Sequence, residues 1–310
     1  MTTALHLDGV TKRFGDFTAV DHVSLDIKAG TIHGFLGQNG AGKTTTLRMV
    51  MSIIYPDEGS INVLGHPNAE MVKDRLGYLP EEKGLYKKMT TSEILTYFGR
   101  LKGMSGRDAK KRARALLTEY GLGDWLDEKC EALSKGMGQK VQVLGTLIHD
   151  PELVILDEPF SGLDPVNVEV MRNLIVRMKR EGRTVIFSTH IMEQAEQICD
   201  AIFLIHKGQK VLDGTLAEVR AGGDLGIRLD YDGDPGVLDR LPGAERINNA
   251  GKHAEIYLEP GADPQAILRH LVTNGLHIRR FDLREPSLHE VFVRAVGADQ
   301  IAERSGGGDA

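Results

Sequence analysis

"GQNGAGKTT", Gly37 to Thr45, separates the apolar run Ile32–Leu36 from a stretch that reads as a helix. Its glycines, lysine and threonine fall in the spacing G-x-x-x-x-G-K-[ST], carried by Gly37, Gly42, Lys43 and Thr44. Glycines let backbone N–H groups wrap around phosphate oxygens, and the following helix start adds partial positive charge. Asn39, Gly40, Ala41 and Thr45 complete the candidate phosphate loop. Lys43 is placed to bridge the β- and γ-phosphates of a nucleotide, and the Thr44 hydroxyl to hold Mg²⁺. A strand feeding such a loop, which in turn opens a helix, sets the expected core as α/β.

"LVILDEP" (Leu153–Pro159) reads as the other half of that site. Apolar residues run to Leu156, and acids appear only at the C-terminal end of the strand. Ligands of open α/β sheets bind outside those ends. Asp157 is therefore the expected Mg²⁺ holder, and Glu158 the group that orients and polarises an attacking water. Two acids can also simply cap a strand. His190 follows the run "TVIFST" and should reach the same edge, although a histidine there equally suits a helix cap or a satisfied core position. Ser134, in "LSKGM" (Leu133–Met137), reads locally as a helix N-cap.

The architecture follows from alternation. Thr31–Gly37, Leu153–Pro159, Arg183–His190 and Ala201–Gly208 read as buried strands, with helices over Val166–Arg180 and His190–Cys199 between them. That order predicts a largely parallel sheet. "LHLDGVTKRF" and "VDHVSLDI" near the start alternate with period two, as an antiparallel β subdomain would. From about residue 83 to 145 strand signals vanish, which predicts an inserted helical subdomain. One of its helices is capped at Thr90 or Thr91 with Glu93 in the first turn, and a second ends at Gly121. Residues 1–220 form the expected nucleotide domain, and "AGGDLG" (221–226) a linker. Residues 223–297 form a small α+β domain of three strands and two helices. The Gly-rich end, 298–310, is expected to be a disordered tail.

The 310-residue chain is 41% hydrophobic and 26% charged, enough to bury a sizeable core. Its formal net charge of −6 argues against a general nucleic-acid binder. Two cysteines, Cys130 and Cys199, offer no metal spacing or disulfide framework. No run approaches the roughly 18 apolar residues of a membrane span, and the start does not look like a signal peptide. These features predict a cytoplasmic chain that could be held at a membrane only through a partner.

The motifs "GQNGAGKTT", "LSKGM", "LVILDEP", "SGLD" and "STH" occur in the order and spacing of ATP-binding cassette (ABC) ATPases. Over residues 4–220 the chain resembles that family. The resemblance implies a P-loop nucleoside triphosphatase fold that uses ATP and Mg²⁺. It also implies that two cassettes, most simply two copies of this chain, close head to tail around two ATP molecules. Ser134 and Gly136 would then meet the γ-phosphate of ATP held by the other protomer. Ser161–Asp164 would connect the two sites, His190 would contact the γ-phosphate, and Phe14 would stack on adenine. Glu81 stands where the family commonly has Gln and would accept from Mg²⁺-bound water. Lys135 and Met137 replace the third and fifth signature residues. "GYLPEEKGLYKKMT" and "PSLHEVF" are similar to the ATPase subunits of bacterial exporters of the sodium- and multidrug-export type. Those subunits work at the inner membrane face with a separate permease and carry a small C-terminal domain. A ribosome- or DNA-acting ABC ATPase is the alternative. It is disfavoured by one cassette per chain, the absence of sustained heptads and the acidic balance. A non-catalytic relic is disfavoured by Lys43, Asp157, Glu158 and His190.

Overall fold

The computed structural model describes residues 2–82, 84–221, 225–239 and 241–306. They divide into two compact units, Met1–Thr215 and Leu216–Ala310. No helix among the described residues is long and apolar enough to cross a membrane.

In the first unit, β1 (Thr3–Phe14) and β2 (Phe17–Lys28) form a hairpin, followed by β3 (Ile32–Leu36), α1 (Lys43–Val50), β4 (Glu58–Val63) and β5 (Leu76–Leu79). The helical subdomain holds α2 (Thr91–Leu101), α3 (Gly106–Glu119) and α4 (Lys135–Leu147). Next come β6 (Leu153–Leu156), α5 (Pro165–Arg180), β7 (Thr184–Thr189), α6 (Met192–Ile198), β8 (Ala201–His206) and β9 (Gln209–Thr215). Thr90 is the cap of α2: its hydroxyl accepts from the Glu93 N–H and the Glu93 carboxylate accepts from the Thr90 N–H. Thr91 instead donates to backbone carbonyls at Trp125 and Leu126.

The main sheet has six strands in the order β5-β6-β7-β3-β8-β9. All pairs are parallel except β8–β9. The β8–β9 turn carries positive φ at both Lys207 and Gly208, the twist a tight hairpin needs. β9 is one of the strands that sequence alternation did not reveal, because "QKVLDGT" is half exposed on both faces. A second, antiparallel sheet has the order β2-β1-β4. One continuous core joins the two sheets: Leu5, Val20, Val23 and Ile27 pack with Phe35, Leu47, Ile155 and Phe203. The antiparallel subdomain therefore has no core of its own, which fixes the hairpin rigidly beside the start of α1.

His33 on β3 is almost fully buried, and its Nε2 has no hydrogen-bond partner among the described residues. Desolvation lowers its pKa to about 4, against smaller opposing pulls from Asp213 and Asp200. The folded chain thus binds its proton more weakly than the unfolded chain. The stabilisation is complete above about pH 6.5 and drains away as pH falls towards 4. Across that window unfolding should become easier by about 3 kcal/mol from this residue alone. Urea titrations at pH 7 and pH 4.5 should show the loss, and His33→Leu should remove that share of it.

The second unit holds α7 (Leu216–Ala221), β10 (Gly226–Asp232), β11 (Ala244–Asn249), β12 (His253–Leu258), α8 (Pro264–Thr273), β13 (His277–Arg284) and α9 (Leu288–Gly306). Its antiparallel sheet runs β11-β12-β10-β13. Leu229, Tyr231, Ile256, Ile267 and Leu271 build its core under α8. Three expectations need correction. The unit boundary lies at Thr215/Leu216 rather than after residue 220, because α7 packs on α9. β11 was missed because "AERINN" is a mostly exposed edge with little alternation. The helix expected to end near residue 297 continues to Gly306, since "ADQIAERS" is rich in helix formers. Residues 298–306, read as disordered tail, are therefore helical. The end of that stretch (307–310) and the centre of the expected linker (222–224) lie outside the described residues.

Candidate functional site

Strand order builds the site. β6, β7 and β3 are adjacent and parallel, so the residues after their C-terminal ends share one edge. That edge receives the 37–45 loop from β3, Asp157 and Glu158 from β6, and His190 from β7. β5 flanks β6 and brings Glu81 to the same edge. The loop is fixed by close approach. Gly42 has φ +108, and a Cβ there would lie 2.6 Å from the Ala19 carbonyl oxygen on β2. The first-turn N–H groups of α1 have no partner within the helix and follow directly on the loop.

Lys43 is buried, and its Nζ donates to the Gly37 and Gln38 carbonyls at 2.8 and 3.1 Å. The same ammonium lies 3.5 Å from Glu158 Oε1. The Thr44 hydroxyl donates to Asp157 Oδ1 at 3.3 Å. Asp157 is fully buried, and its Oδ2 has no hydrogen-bond partner among the described residues. Glu158 is held with φ +48, a region costly for a side chain with Cβ, and its N–H donates to Ser188 Oγ at 2.8 Å. Both Glu158 carboxylate oxygens lie 3.2 Å from His190 Nδ1.

Ser188 is a residue that sequence reasoning left without a role. Its hydroxyl accepts from the Glu158 N–H and donates to Asp157 Oδ1, so one side chain aligns both acids. The available signal was a pair of hydroxyls, Ser188 and Thr189, closing a buried strand just before His190. Ser188→Ala leaves the buried Glu158 N–H without its acceptor. It should cost about 1–3 kcal/mol in urea unfolding. It should also slow hydrolysis about tenfold or more, read as phosphate release.

A cleft of about 340 Å³ opens over the loop, lined by Phe14, Phe17, Ala19, Asn39, Gly40, Lys43, Thr44, Thr45, Glu81 and Glu158 among others. Glu81 is exposed in it, and no hydrogen bond or ion pair joins it to Thr44 or Asp157 among the described residues. Ser134, Gly136 and Asp164 do not line this cleft. They belong to a second cluster. Ser134 caps α4 by accepting from the Met137 N–H. Asp164 caps α5, and its carboxyl is held below the ordinary range first by the Asn167 N–H and then by the Asn167 side-chain amide. A Cβ on buried Gly136 would collide with the Asn167 side chain, and the Lys135 ammonium rests against Gly162. The α4 start and the 161–167 segment therefore form one surface.

A sequence profile described as "ABC transporter" matches residues 20–161, and one described as "ATP-binding protein DrrA1-3-like, C-terminal domain" matches 214–296. The chain is 41% identical over 295 residues to the uncharacterized ABC transporter ATP-binding protein YhaQ of Bacillus subtilis, covering 95% of this chain and 99% of that protein. The chain belongs to the ATP-binding proteins of ABC transporters. This ABC ATPase is also 42% identical over 218 residues to the ABC transporter ATP-binding protein NatA of Bacillus subtilis, covering 68% of this chain and 89% of NatA. It is 35% identical over 300 residues to Nod factor export ATP-binding protein I of Burkholderia lata, covering 94% and 96% of the two chains. Among solved structures, an ATP-binding subunit of an ABC transporter superposes with a TM-score of 0.63 at 30% identity, over 71% of this chain and 92% of that one. The P-loop α/β fold, ATP binding and ATP hydrolysis are thereby those of this ABC ATPase.

Among the described residues no three His, Cys, Asp or Glu side chains converge on a resident metal site. The unpartnered Asp157 Oδ2 beside the Thr44 hydroxyl instead fits a hard cation that arrives with phosphates and keeps most of its water.

Proposed function

We propose that this ABC ATPase powers an exporter, acting as a head-to-tail dimer on a separate membrane permease at the inner membrane face. The carrying observation is the split between the two clusters: Lys43, Asp157, Glu158 and His190 meet at one sheet edge, whereas Ser134, Gly136 and Asp164 lie on a surface outside that cleft. A cleft that already supplies its own loop leaves the second surface for the ATP of another protomer.

In this reading the 37–45 amides, with Asn39, Gly40, Ala41 and Thr45, cradle the phosphates. Lys43 exchanges its two carbonyl contacts for β- and γ-phosphate oxygens, and Phe14 stacks on adenine. Thr44 and Asp157 would hold Mg²⁺, and Glu81 would accept a hydrogen bond from water beside it. Bound Mg²⁺ supplies charge neutralisation on the phosphates. Glu158 accepts a hydrogen bond from the attacking water and polarises it. His190 shares Glu158's carboxylate and stands ready to donate to the γ-phosphate. Positioning and charge suffice, because phosphoryl transfer needs little covalent help from the protein.

The helical subdomain offers the permease a seat. A cleft of about 300 Å³ lined by Tyr78, Phe98, Leu101, Lys102, Gly145 and His149 lies between β5 and the α2–α4 pair. Leu101 is 65% exposed there, an apolar contact point within the cleft. Purification of the tagged chain from membranes in mild detergent should recover a polytopic membrane protein. That protein should raise the rate of ATP hydrolysis when added back. Recovery with ribosomes instead would replace the transport reading.

A further inference from the structure

We infer that Phe17 is a second aromatic wall of the nucleotide site, so that the base is gripped between Phe14 and Phe17 rather than stacked on Phe14 alone. The inference rests on the reading of the loop cleft as the ATP site and deepens it.

The geometry comes from the β1–β2 hairpin. Phe14 and Phe17 are direct cross-strand partners flanking the two-residue turn Gly15–Asp16. Directly opposite residues of an antiparallel pair project from the same face. Ala19, two residues beyond Phe17 on β2, sits at a bulge where the pairing passes from Arg13–Thr18 to Lys12–Val20, and it lines the same cleft as the two rings. Ala19 also presses its carbonyl against Gly42 of the phosphate loop. The strand that carries Phe17 is thus anchored to the loop through its backbone, and both rings line the same cleft as Lys43 and Thr44.

Both rings are kept in water, at 52% exposure for Phe14 and 64% for Phe17. Among the described residues no ring contact joins them, although they are cross-strand neighbours. Phe14 has the Lys12 ammonium 5.6 Å from its ring centroid, and Asp57 pins that ammonium at 3.0 Å. One face of Phe14 is therefore committed. No cation lies over Phe17 among the described residues. Two rings on one face, unstacked and open towards a phosphate loop, suit a flat heteroaromatic base. At this end of the cleft Phe14, Phe17 and Ala19 have no side-chain hydrogen-bonding groups, so stacking is the available grip.

The test uses the full-length chain and two probes, Mg-ATP as substrate and inorganic tripolyphosphate as a competitor without a base. Phe17→Ala should raise KM for ATP about tenfold. Its kcat should change far less, and tripolyphosphate should inhibit as well as before. Phe17→Tyr keeps a ring and should restore KM. An unchanged KM in Phe17→Ala overturns the inference. So does a parallel weakening of tripolyphosphate, which would mean that the variant disturbs the loop. Failure of the ATP-site reading itself would appear separately, as a wild-type chain that releases no phosphate from Mg-ATP.

Discussion

Glu158→Gln should lower phosphate release from Mg-ATP by about a hundredfold or more and leave an ATP-bound dimer. The substitution is nearly isosteric, so the Ser188 bond to the residue 158 N–H and the neighbours of the side chain can persist. What disappears is the negative charge and the second carboxylate acceptor. Those are the features that draw a proton away from an attacking water as its bond to phosphorus forms. The ground state moves the other way. Glu158 lies 3.5 Å from Lys43, and its charge competes with phosphate oxygens for that ammonium. Removing the charge favours bound ATP, so binding should tighten while turnover falls. Phosphate release and light scattering of wild type and variant, each with Mg-ATP, measure both effects. Equal hydrolysis rates would exclude Glu158 as the polarising group. A variant that remains monomeric with ATP at high concentration would count against the shared site.

The positive φ at Glu158 fits this role. A carboxylate side chain held in the left-handed region costs free energy that ordinary strand ends avoid. The backbone persists there because Ser188 takes its N–H and Leu79 takes the N–H of Asp157. Hydrogen bonds to the two flanking strands keep the carboxylate aimed.

The legible part of this protein was the part in which spacing carries geometry. Gly37–Thr45 after an apolar run could hardly be anything but a strand, a loop and a helix start, and the acids after Leu156 mark a strand's C-terminal end. Adjacency was less legible. The order β6-β7-β3 brings Ser188 beside Asp157, 31 residues away in the chain, and one of three hydroxyls in a buried strand carries no sign of that neighbour. Phe17 was passed over for a similar reason. One aromatic near a turn is ordinary, and only the register with Phe14 shows a pair. Weak edges such as β9 and β11 escape because half-exposed strands lose the alternation that a buried face imposes. The continuation of α9 to Gly306 escaped because glycines at the end of the sequence outweighed the helix formers before them.

Ser134→Arg tests the second cluster with an effect of comparable size. Ser134 is exposed at the start of α4, and arginine fits there without disturbing a core. Its loss removes the cap bond to the Met137 N–H, a penalty of about 1 kcal/mol that a folded domain should survive. Because Ser134 does not line the chain's own cleft, ATP binding by the monomer should be nearly unchanged. Hydrolysis should nevertheless fall about a hundredfold, since a bulky cation would block the surface that completes the other protomer's site. Lys43→Ala should abolish hydrolysis by the opposite route, through the cleft that holds the nucleotide. The two inactive variants can then be mixed. In a head-to-tail pair, one composite site combines intact Lys43 from the Ser134→Arg chain with intact Ser134 from the Lys43→Ala chain. The mixture should recover activity that neither variant has alone, up to about half the wild-type rate per mixed dimer, or about a quarter over all dimers of an equal mixture, if one intact site can turn over by itself. If both residues served the same chain's ATP, every subunit in the mixture would carry one lesion in its own site, and no activity would return.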